Sequence, residues 1–421
     1  MRGAITARWA PAGDFVDSGR QRFEPHPLHM YGIWIVTVSC VVAWRQGAFY
    51  TGGLDPVVII KALLQAGAMC WALTICLVYK NKYPVGAKSL GSLLAILAVS
   101  VVGALAEGNL SASAVIAVRV MMMALTAMLL MSRYSAQRVL LGLCTALALV
   151  GIFSAVTGLA LGGEGRLAGG IPPLSPNEIA LLTGVPALVL LHEALRARVH
   201  WWHIIALIVL AGGLLLSESR TALIGAACAA GLMVLLMRRL PIQTVSAALL
   251  LAPGLFFVVF FTPVVQSIVT REDSASFLTL NSRTISWSVV LNLPMDSWQR
   301  WIGEGLSMKT IAVEGQYWDE QVFDSSWISL LAQTGVIGAA IALFWVLSCV
   351  FAALKSKKLR SLFIPLLAFV LVRSTMENGL IDAGVTFLVF FTLSLSLEPP
   401  SRSVGCDWDR DGHFGVWPTR T

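Results

Sequence analysis

The segment Ser217-Glu218-Ser219-Arg220-Thr221 places an acid and a base between two uninterrupted apolar runs, 201–216 and 222–237. A charged side chain at the centre of a bilayer costs roughly 2.5–3.5 kcal/mol, so such residues either lie at the membrane surface or have a function. The planar fork of an arginine can bind two oxygens of a phosphate group at once, and a carboxylate can exchange a proton with a substrate. Which chemistry applies depends on the side of the membrane that Glu218 and Arg220 face.

The elements around this segment are apolar helices. Of the 421 residues, 57% are hydrophobic and 13% are charged, whereas charged residues make up about 25% of soluble domains. Apolar runs of about 20 residues recur along the chain, which is the length of a membrane-spanning helix. The pattern predicts an all-α polytopic membrane protein with about 12 transmembrane helices. They are expected near 30–46, 54–79, 89–105, 113–132, 138–160, 176–192, 201–217, 221–237, 243–262, 326–353, 361–375 and 380–397.

Basic residues are concentrated in every second connection between these helices. They are Lys80, Lys82, Lys88, Arg133, Arg138, Arg196, Arg198, Arg238, Arg239, Lys355, Lys357, Lys358 and Arg360. Because cytoplasmic loops carry the excess of Lys and Arg, both termini are predicted to be cytoplasmic and Arg220 to face outward. The net charge of +7 follows from this topology, and we infer no nucleic-acid partner from it.

This topology divides the chain into five parts. Residues 1–29 are a cytoplasmic N-terminal tail, 30–262 hold transmembrane helices 1–9, and 263–325 form one large extracytoplasmic loop. Residues 326–397 hold transmembrane helices 10–12, and 398–421 are a cytoplasmic C-terminal tail. The first thirty residues are polar, and we expect no cleavable signal peptide before the first span. A loop as long as 263–325 is uncommon in a compact protein and usually functional.

The sequence offers no metal or disulfide framework. Six of the seven cysteines lie inside apolar spans, where cysteine behaves as a small hydrophobe, and no C-x-x-C pair occurs. Asp407–Gly412 resembles the opening of a calcium loop, but its twelfth position is Pro418 instead of glutamate. We therefore expect neither a metal nor a cofactor.

Several cations lie within predicted spans, in their outer halves. They are Lys61, Arg119 and Arg373, and the outward connections add Arg220 and Arg283. One interpretation is snorkelling, in which a long basic side chain reaches the nearer interface. A structural Glu218–Arg220 ion pair is a second. The third is an outer cavity lined by arginine for a polyanionic group, such as the diphosphate of a lipid carrier in the outer leaflet.

An ordered set of short motifs resembles the bacterial O-antigen ligase and O-antigen polymerase superfamily. Ser219–Leu223 resembles its outward arginine motif, and Asn281–Trp287 resembles its second, an arginine followed four residues later by tryptophan. Gly303-Glu304-Gly305, Asp324–Ile328 with 330–338, and Pro176–Ala180 resemble three further motifs. The matches run from about residue 165 to 340, in order and at plausible spacing.

The resemblance implies transfer of a glycan from undecaprenyl diphosphate to a glycan or lipid acceptor, without a required metal. It places the enzyme in the bacterial cytoplasmic membrane, with its active site on the extracytoplasmic side. The two family arginines that engage the diphosphate map onto Arg220 and Arg283. In the ligase branch, a histidine occupies the position of Asp324 and is usually followed by asparagine, where this chain has Ser325. This difference from the ligase branch favours a polymerase-like member of the superfamily.

Two residues are candidates for the base that accepts the proton in such a transfer. Asp324 could act as a base, or it could only cap the helix that follows it. Glu218 is the other candidate, two residues from Arg220. An alternative function is a transporter or flippase for a polyanionic lipid-linked or soluble substrate, with the same cations as binding groups. The near-absence of charge in the inner halves of the spans counts against a path through both leaflets.

Overall fold

A computed structural model describes residues 25–42, 44, 56–79, 83–162, 166–196, 201–237, 285–312, 320–356 and 360–399. The predicted ninth span at 243–262, Arg283 and the calcium-loop-like segment 407–412 lie outside the described residues. In chain order, the helices are α1 (Pro27–Val41), α2 (Pro56–Val78), α3 (Lys88–Glu107), α4 (Leu110–Arg133), α5 (Ala136–Ala160), α6 (Pro176–Leu195), α7 (Trp201–Leu216), α8 (Arg220–Leu236), α9 (Trp298–Ile302), α10 (Ser326–Lys355), α11 (Arg360–Met376) and α12 (Val385–Leu397). Two short strands, β1 (Thr310–Ala312) and β2 (Glu320–Val322), pair antiparallel within the long loop.

The fold is that of an all-α polytopic membrane protein, as the sequence predicts. In the described part of the chain, six helices are long and apolar enough to cross a membrane, namely α2 to α6 and α10. α1, α7, α8 and α12 are shorter apolar helices. The predicted bounds of the first and last helices differ most from the structure, and α1 ends at Val41 instead of near 46. α1 begins at Pro27, next to its N-cap His26, and α12 begins only at Val385 because the preceding residues form a turn around Gly379.

The core of the bundle lies around α12. Every residue from Val385 to Leu397 is buried, and a helix that is apolar on all sides belongs in the interior. Peripheral helices such as α2 and α7 instead expose large apolar side chains, among them Leu63, Leu77 and Ile208. In a membrane protein such surfaces face lipid, so this arrangement leaves the helix ends as the places where polar chemistry can occur.

The helix α10 is interrupted at Gly335, whose backbone is not helical (φ 62°, ψ −169°). The interruption leaves carbonyl groups of the preceding turn without helical partners. The amide of Glu304 donates to the Ala332 carbonyl (2.9 Å), and the amide of Gly305 donates to the Gln333 carbonyl (3.0 Å). The Gly303-Glu304-Gly305 segment therefore closes the break and fixes the long loop to α10.

The last helix is fixed at its other end by Glu398. Its carboxylate accepts hydrogen bonds from the backbone amides of Ser89 (2.8 Å) and Lys88 (3.2 Å), at the start of α3. The Ser89 hydroxyl also donates to it, at 2.5 Å. An acidic group at a helix N-terminus satisfies free amides and the positive end of the helix dipole. Glu398 thus joins the C-terminal end of α12 to α3.

Candidate functional site

Several connections meet at one end of the bundle, which we call the loop face. It is formed by residues 166–175, 217–219, 303–309 and 377–384. The amide of Leu167 donates to the Leu216 carbonyl (3.1 Å), and the amide of Ser326 donates to the Glu377 carbonyl (3.2 Å). The ammonium of Lys309 forms a buried ion pair with Asp382. In the predicted topology, this is the outward side.

Arg220 is the first residue of α8 and its side chain is exposed at the loop face. Among the described residues, it has neither a hydrogen-bond partner nor an ion-pair partner. Glu218 lies in the turn before it, half-buried and with a positive φ of 49°. The two side chains form no ion pair with each other, so that interpretation of the sequence is wrong. Nothing in the described part of the chain occupies the Arg220 guanidinium, which is therefore available to bind an anion.

Lys61 and Arg119 both contact the end of α1. The Lys61 ammonium donates to the Val42 carbonyl (2.9 Å) and lies 4.7 Å from the centroid of the Trp44 ring. Arg119 donates through Nη2 to the Cys40 carbonyl (3.4 Å). Cations at a helix C-terminus satisfy its last carbonyls and its dipole. With only 5% of its surface exposed, Lys61 does not snorkel to an interface as one interpretation held; it binds the terminus of a neighbouring helix.

Arg373 is fully enclosed, at 1% exposure. Its Nη1 donates to the Thr386 hydroxyl (3.2 Å), and its Nη2 donates to the Asn177 carbonyl (2.9 Å). The carboxylate of Glu178 lies 3.9 Å from the same Nη2. Buried charges require such partners. The three predicted cations inside the spans therefore form a layer below the loop face, each one held by groups of the protein.

Asn177 links this layer to the surface of the loop face. Its side-chain oxygen accepts from Nη2 of Arg166 (3.1 Å), and its side-chain nitrogen donates to Glu377 (2.5 Å). Arg166 also donates through Nε to the Ser217 carbonyl (3.2 Å). This cluster was not apparent from the sequence, where its members are far apart. The signal for it was the Pro176-Asn177 motif, which has no chemical interpretation until its partners from distant parts of the chain are known.

Asp324 lies between β2 and α10, half-buried at the loop face. The amide of its neighbour Phe323 donates to the Lys309 carbonyl (3.2 Å), which joins this segment to the residue that forms the ion pair with Asp382. The N-cap of α10 is Ser325, whose side chain makes no capping hydrogen bond. The alternative in which Asp324 only caps this helix is therefore not supported, because the capping position is one residue later. Asp324 and Arg220 share the loop face, although neither contacts the other in the described structure.

Glu304, in the middle of the Gly-x-Gly segment, is a further acid that we did not single out from the sequence. Its carboxyl is half-buried, and burial raises the pKa of Glu304, with a smaller contribution in the same direction from Glu107. Ionisable groups with perturbed pKa values are enriched at functional sites, although structural ones exist as well. Within the described ranges, no group of three or more His, Cys, Asp or Glu residues could hold a metal ion.

Comparison with known proteins supports the interpretation of the motifs. Residues 205–343 match the sequence profile of the family described as O-antigen ligase. The matched range includes Arg220, the Gly-x-Gly segment, Asp324 and the break at Gly335. A search of curated proteins finds no match. The match over residues 205–343 confirms the resemblance of this membrane protein to the O-antigen ligase and polymerase superfamily of glycan-transfer enzymes.

Proposed function

We propose that this protein transfers or polymerises glycans carried on undecaprenyl diphosphate, at the outer face of the bacterial cytoplasmic membrane. The main support for the proposal is the exposure of Arg220. It is exposed at the loop face without a partner among the described residues, whereas the cations of the layer below are held by protein groups. A free guanidinium at the membrane surface suits the diphosphate of a lipid whose acyl chain stays in the bilayer.

The reaction requires little more than charge stabilisation and placement. An acceptor hydroxyl attacks the anomeric carbon of the donor glycan in line with the bond to the diphosphate oxygen. That bond breaks, the lipid diphosphate leaves with the bonding electrons, and the hydroxyl proton passes to a base. Arg220, together with Arg283, neutralises the charge that develops on the leaving diphosphate. No nucleotide sugar is needed.

Lys61, Arg119 and Arg373 were predicted to bind the diphosphate directly. Because their donors contact the end of α1, the Thr386 hydroxyl and the Asn177 carbonyl, we propose that they act through their charge. Positive charges in a low-dielectric layer attract an anion at the surface above them more strongly than they would in water.

Asp324 is our first candidate for the base and Glu218 the second. Asp324 stands where the ligase branch has its histidine, and it is half-buried on the same face as Arg220. An aspartate in this position favours the polymerase-like activity. If Asp324 accepts the proton, Asp324→Asn loses polymer formation, whereas an Asp324→Asn variant with full activity would exclude the role.

The function is tested with purified protein in liposomes that contain a lipid-linked oligosaccharide donor. Arg220→Ala is expected to lower polymer formation and release of lipid diphosphate at least about 100-fold, the usual effect of removing one charge-stabilising donor. Arg138→Ala is the matched control, since Arg138 is an exposed cation at the opposite end of the bundle. Wild-type turnover in Arg220→Ala would refute the role of Arg220.

A second measurement distinguishes a flippase from a glycan polymerase. In cells that lack this protein, the lipid-linked intermediate is expected to accumulate in the outer leaflet, because a polymerase consumes it there. Accumulation in the inner leaflet would show that the protein moves the intermediate across the membrane instead.

A further inference from the structure

The Asn177 side chain connects two parts of the loop face that are far apart in sequence. On one side, Arg166 bridges from the Asn177 side-chain oxygen (3.1 Å) to the Ser217 carbonyl (3.2 Å). Ser217 lies three residues before Arg220. The position of the turn that presents the proposed diphosphate ligand is therefore tied to Asn177.

On the other side, Asn177 donates to the Glu377 carboxylate (2.5 Å). The backbone carbonyl of Glu377 accepts from both the amide (3.2 Å) and the hydroxyl (2.7 Å) of Ser326, the first residue of α10. Ser326 lies two residues after Asp324. A continuous chain of hydrogen bonds thus runs from the Arg220 turn through Arg166, Asn177 and Glu377 to the start of α10.

The packing of α6 against α11 does not depend on this series of hydrogen bonds. The same two helices are joined near their other ends by a hydrogen bond between His192 and Ser361 (3.1 Å). Between the two ends they are packed tightly, since a Cβ on Gly184 would lie 2.8 Å from the Phe369 ring. The bonds of Asn177 to Arg166 and Glu377 are charge-assisted and direction-specific, which makes them suited to fixing a geometry.

We propose that Asn177 is a positioning residue for glycan transfer. Through Arg166 and Glu377, it sets the separation between the Arg220 turn, which holds the donor diphosphate, and the start of α10, which carries Asp324. This role rests on the proposed function. It predicts that loss of Asn177 affects the reacting geometry more than donor binding, since Arg220 itself stays exposed and intact.

The first test compares steady-state kinetics of Asn177→Ala with the wild-type protein in donor-containing liposomes. We expect kcat to fall about 10- to 100-fold, because a displacement of about 1 Å between reacting groups has effects of that size. The KM for the donor should stay within about threefold of the wild-type value, since uniform binding is preserved. Ser361→Ala is the matched control: it removes one polar link between the same two helices at the opposite end, and its kcat should equal that of the wild type.

A compensating pair of substitutions gives a second, sharper test. Asn177→Asp alone places a carboxylate against the Glu377 carboxylate and should lower kcat at least as much as Asn177→Ala. In Asn177→Asp with Glu377→Gln, the new amide donates to the new carboxylate, so the bond and the total charge are restored with reversed direction. We expect this double variant to recover kcat to within about tenfold of the wild type.

The outcomes separate the two hypotheses. A wild-type kcat in Asn177→Ala, or a fall that Ser361→Ala reproduces together with a lower thermal midpoint, would overturn the positioning role and leave the glycan-transfer function standing. Absence of transfer by the wild-type protein would refute the proposed function and this role with it. A selective loss of kcat at an unchanged thermal midpoint, recovered in the double variant, is the result we expect.

Discussion

Replacing Gly335 by alanine tests whether the break in α10 is a required feature of the site. With φ at 62° and ψ at −169°, Gly335 occupies a backbone region that is essentially restricted to glycine, and another residue there costs on the order of 1–3 kcal/mol. An added Cβ would also lie 2.2 Å from the Trp301 carbonyl carbon and 2.3 Å from its oxygen. These are backbone atoms, which cannot rotate out of the way as the end of a side chain could.

Overpacking of this kind typically costs a further 1–3 kcal/mol or so, which gives a total of roughly 2–6 kcal/mol for Gly335→Ala. That is a large part of the roughly 5–15 kcal/mol by which domains are stable. The strain can be relieved only if the segment from Trp301 to Gly303 moves away from α10. That movement breaks the hydrogen bonds from Glu304 to Ala332 and from Gly305 to Gln333.

The assay is the thermal midpoint of purified protein in detergent, followed by glycan transfer in liposomes. Gly67→Ala is the matched control, because Gly67 lies within α2 and its added Cβ would meet no atom within 4 Å. The control should be neutral or slightly stabilising, by about 0.5–1 kcal/mol, since alanine is the better helix former. Equal midpoints and equal activities for Gly335→Ala and Gly67→Ala would refute the argument that the break is fixed by its contacts with the long loop.

Two further predictions concern acids in the fold. The folded-state pKa of Glu304 is raised above its ordinary value of 4.5 by burial, so folding favours the protonated carboxyl. Stability should therefore fall as the pH rises through the ordinary value toward the raised one. Glu304→Gln should flatten the part of the thermal midpoint profile that lies just above the ordinary pKa of 4.5, and an unchanged slope there would contradict the assignment. Glu398→Ala leaves the Lys88 and Ser89 amides without their acceptor and should cost about 1–3 kcal/mol. Glu398→Gln keeps one acceptor oxygen, so its thermal midpoint should lie between those of the wild type and Glu398→Ala. A midpoint of Glu398→Ala equal to that of the wild type would contradict the capping role.

Sequence reasoning predicted the membrane helices well because their signal is local. Apolar runs identify a span from its own composition, and the described helices α2 to α8, α10 and α11 agree with the predicted spans to within a few residues. The segment that carries Glu218 and Arg220 was likewise visible as a charged interruption between two such runs. The order of the motifs indicated the resemblance to the O-antigen ligase and polymerase superfamily, since each motif consists of adjacent residues.

The break at Gly335 could not be predicted in the same way. The apolar pattern continues through 326–353, so it predicts one continuous helix. The interruption is stable only because the amides of Glu304 and Gly305, about thirty residues earlier, satisfy the carbonyls that it exposes. No local feature of α10 indicates those partners.

The same distinction applies to the charged residues of the site. From the sequence alone we predicted which cations lie within the spans and that Arg220 lies where a span begins. Only the tertiary structure decided that Lys61 and Arg119 bind the end of α1, that Arg373 binds Asn177, and that Arg220 stays exposed. The physical reason is that a buried cation takes its partners from whichever helices pack beside it, and that packing is set by contacts between residues far apart in the chain.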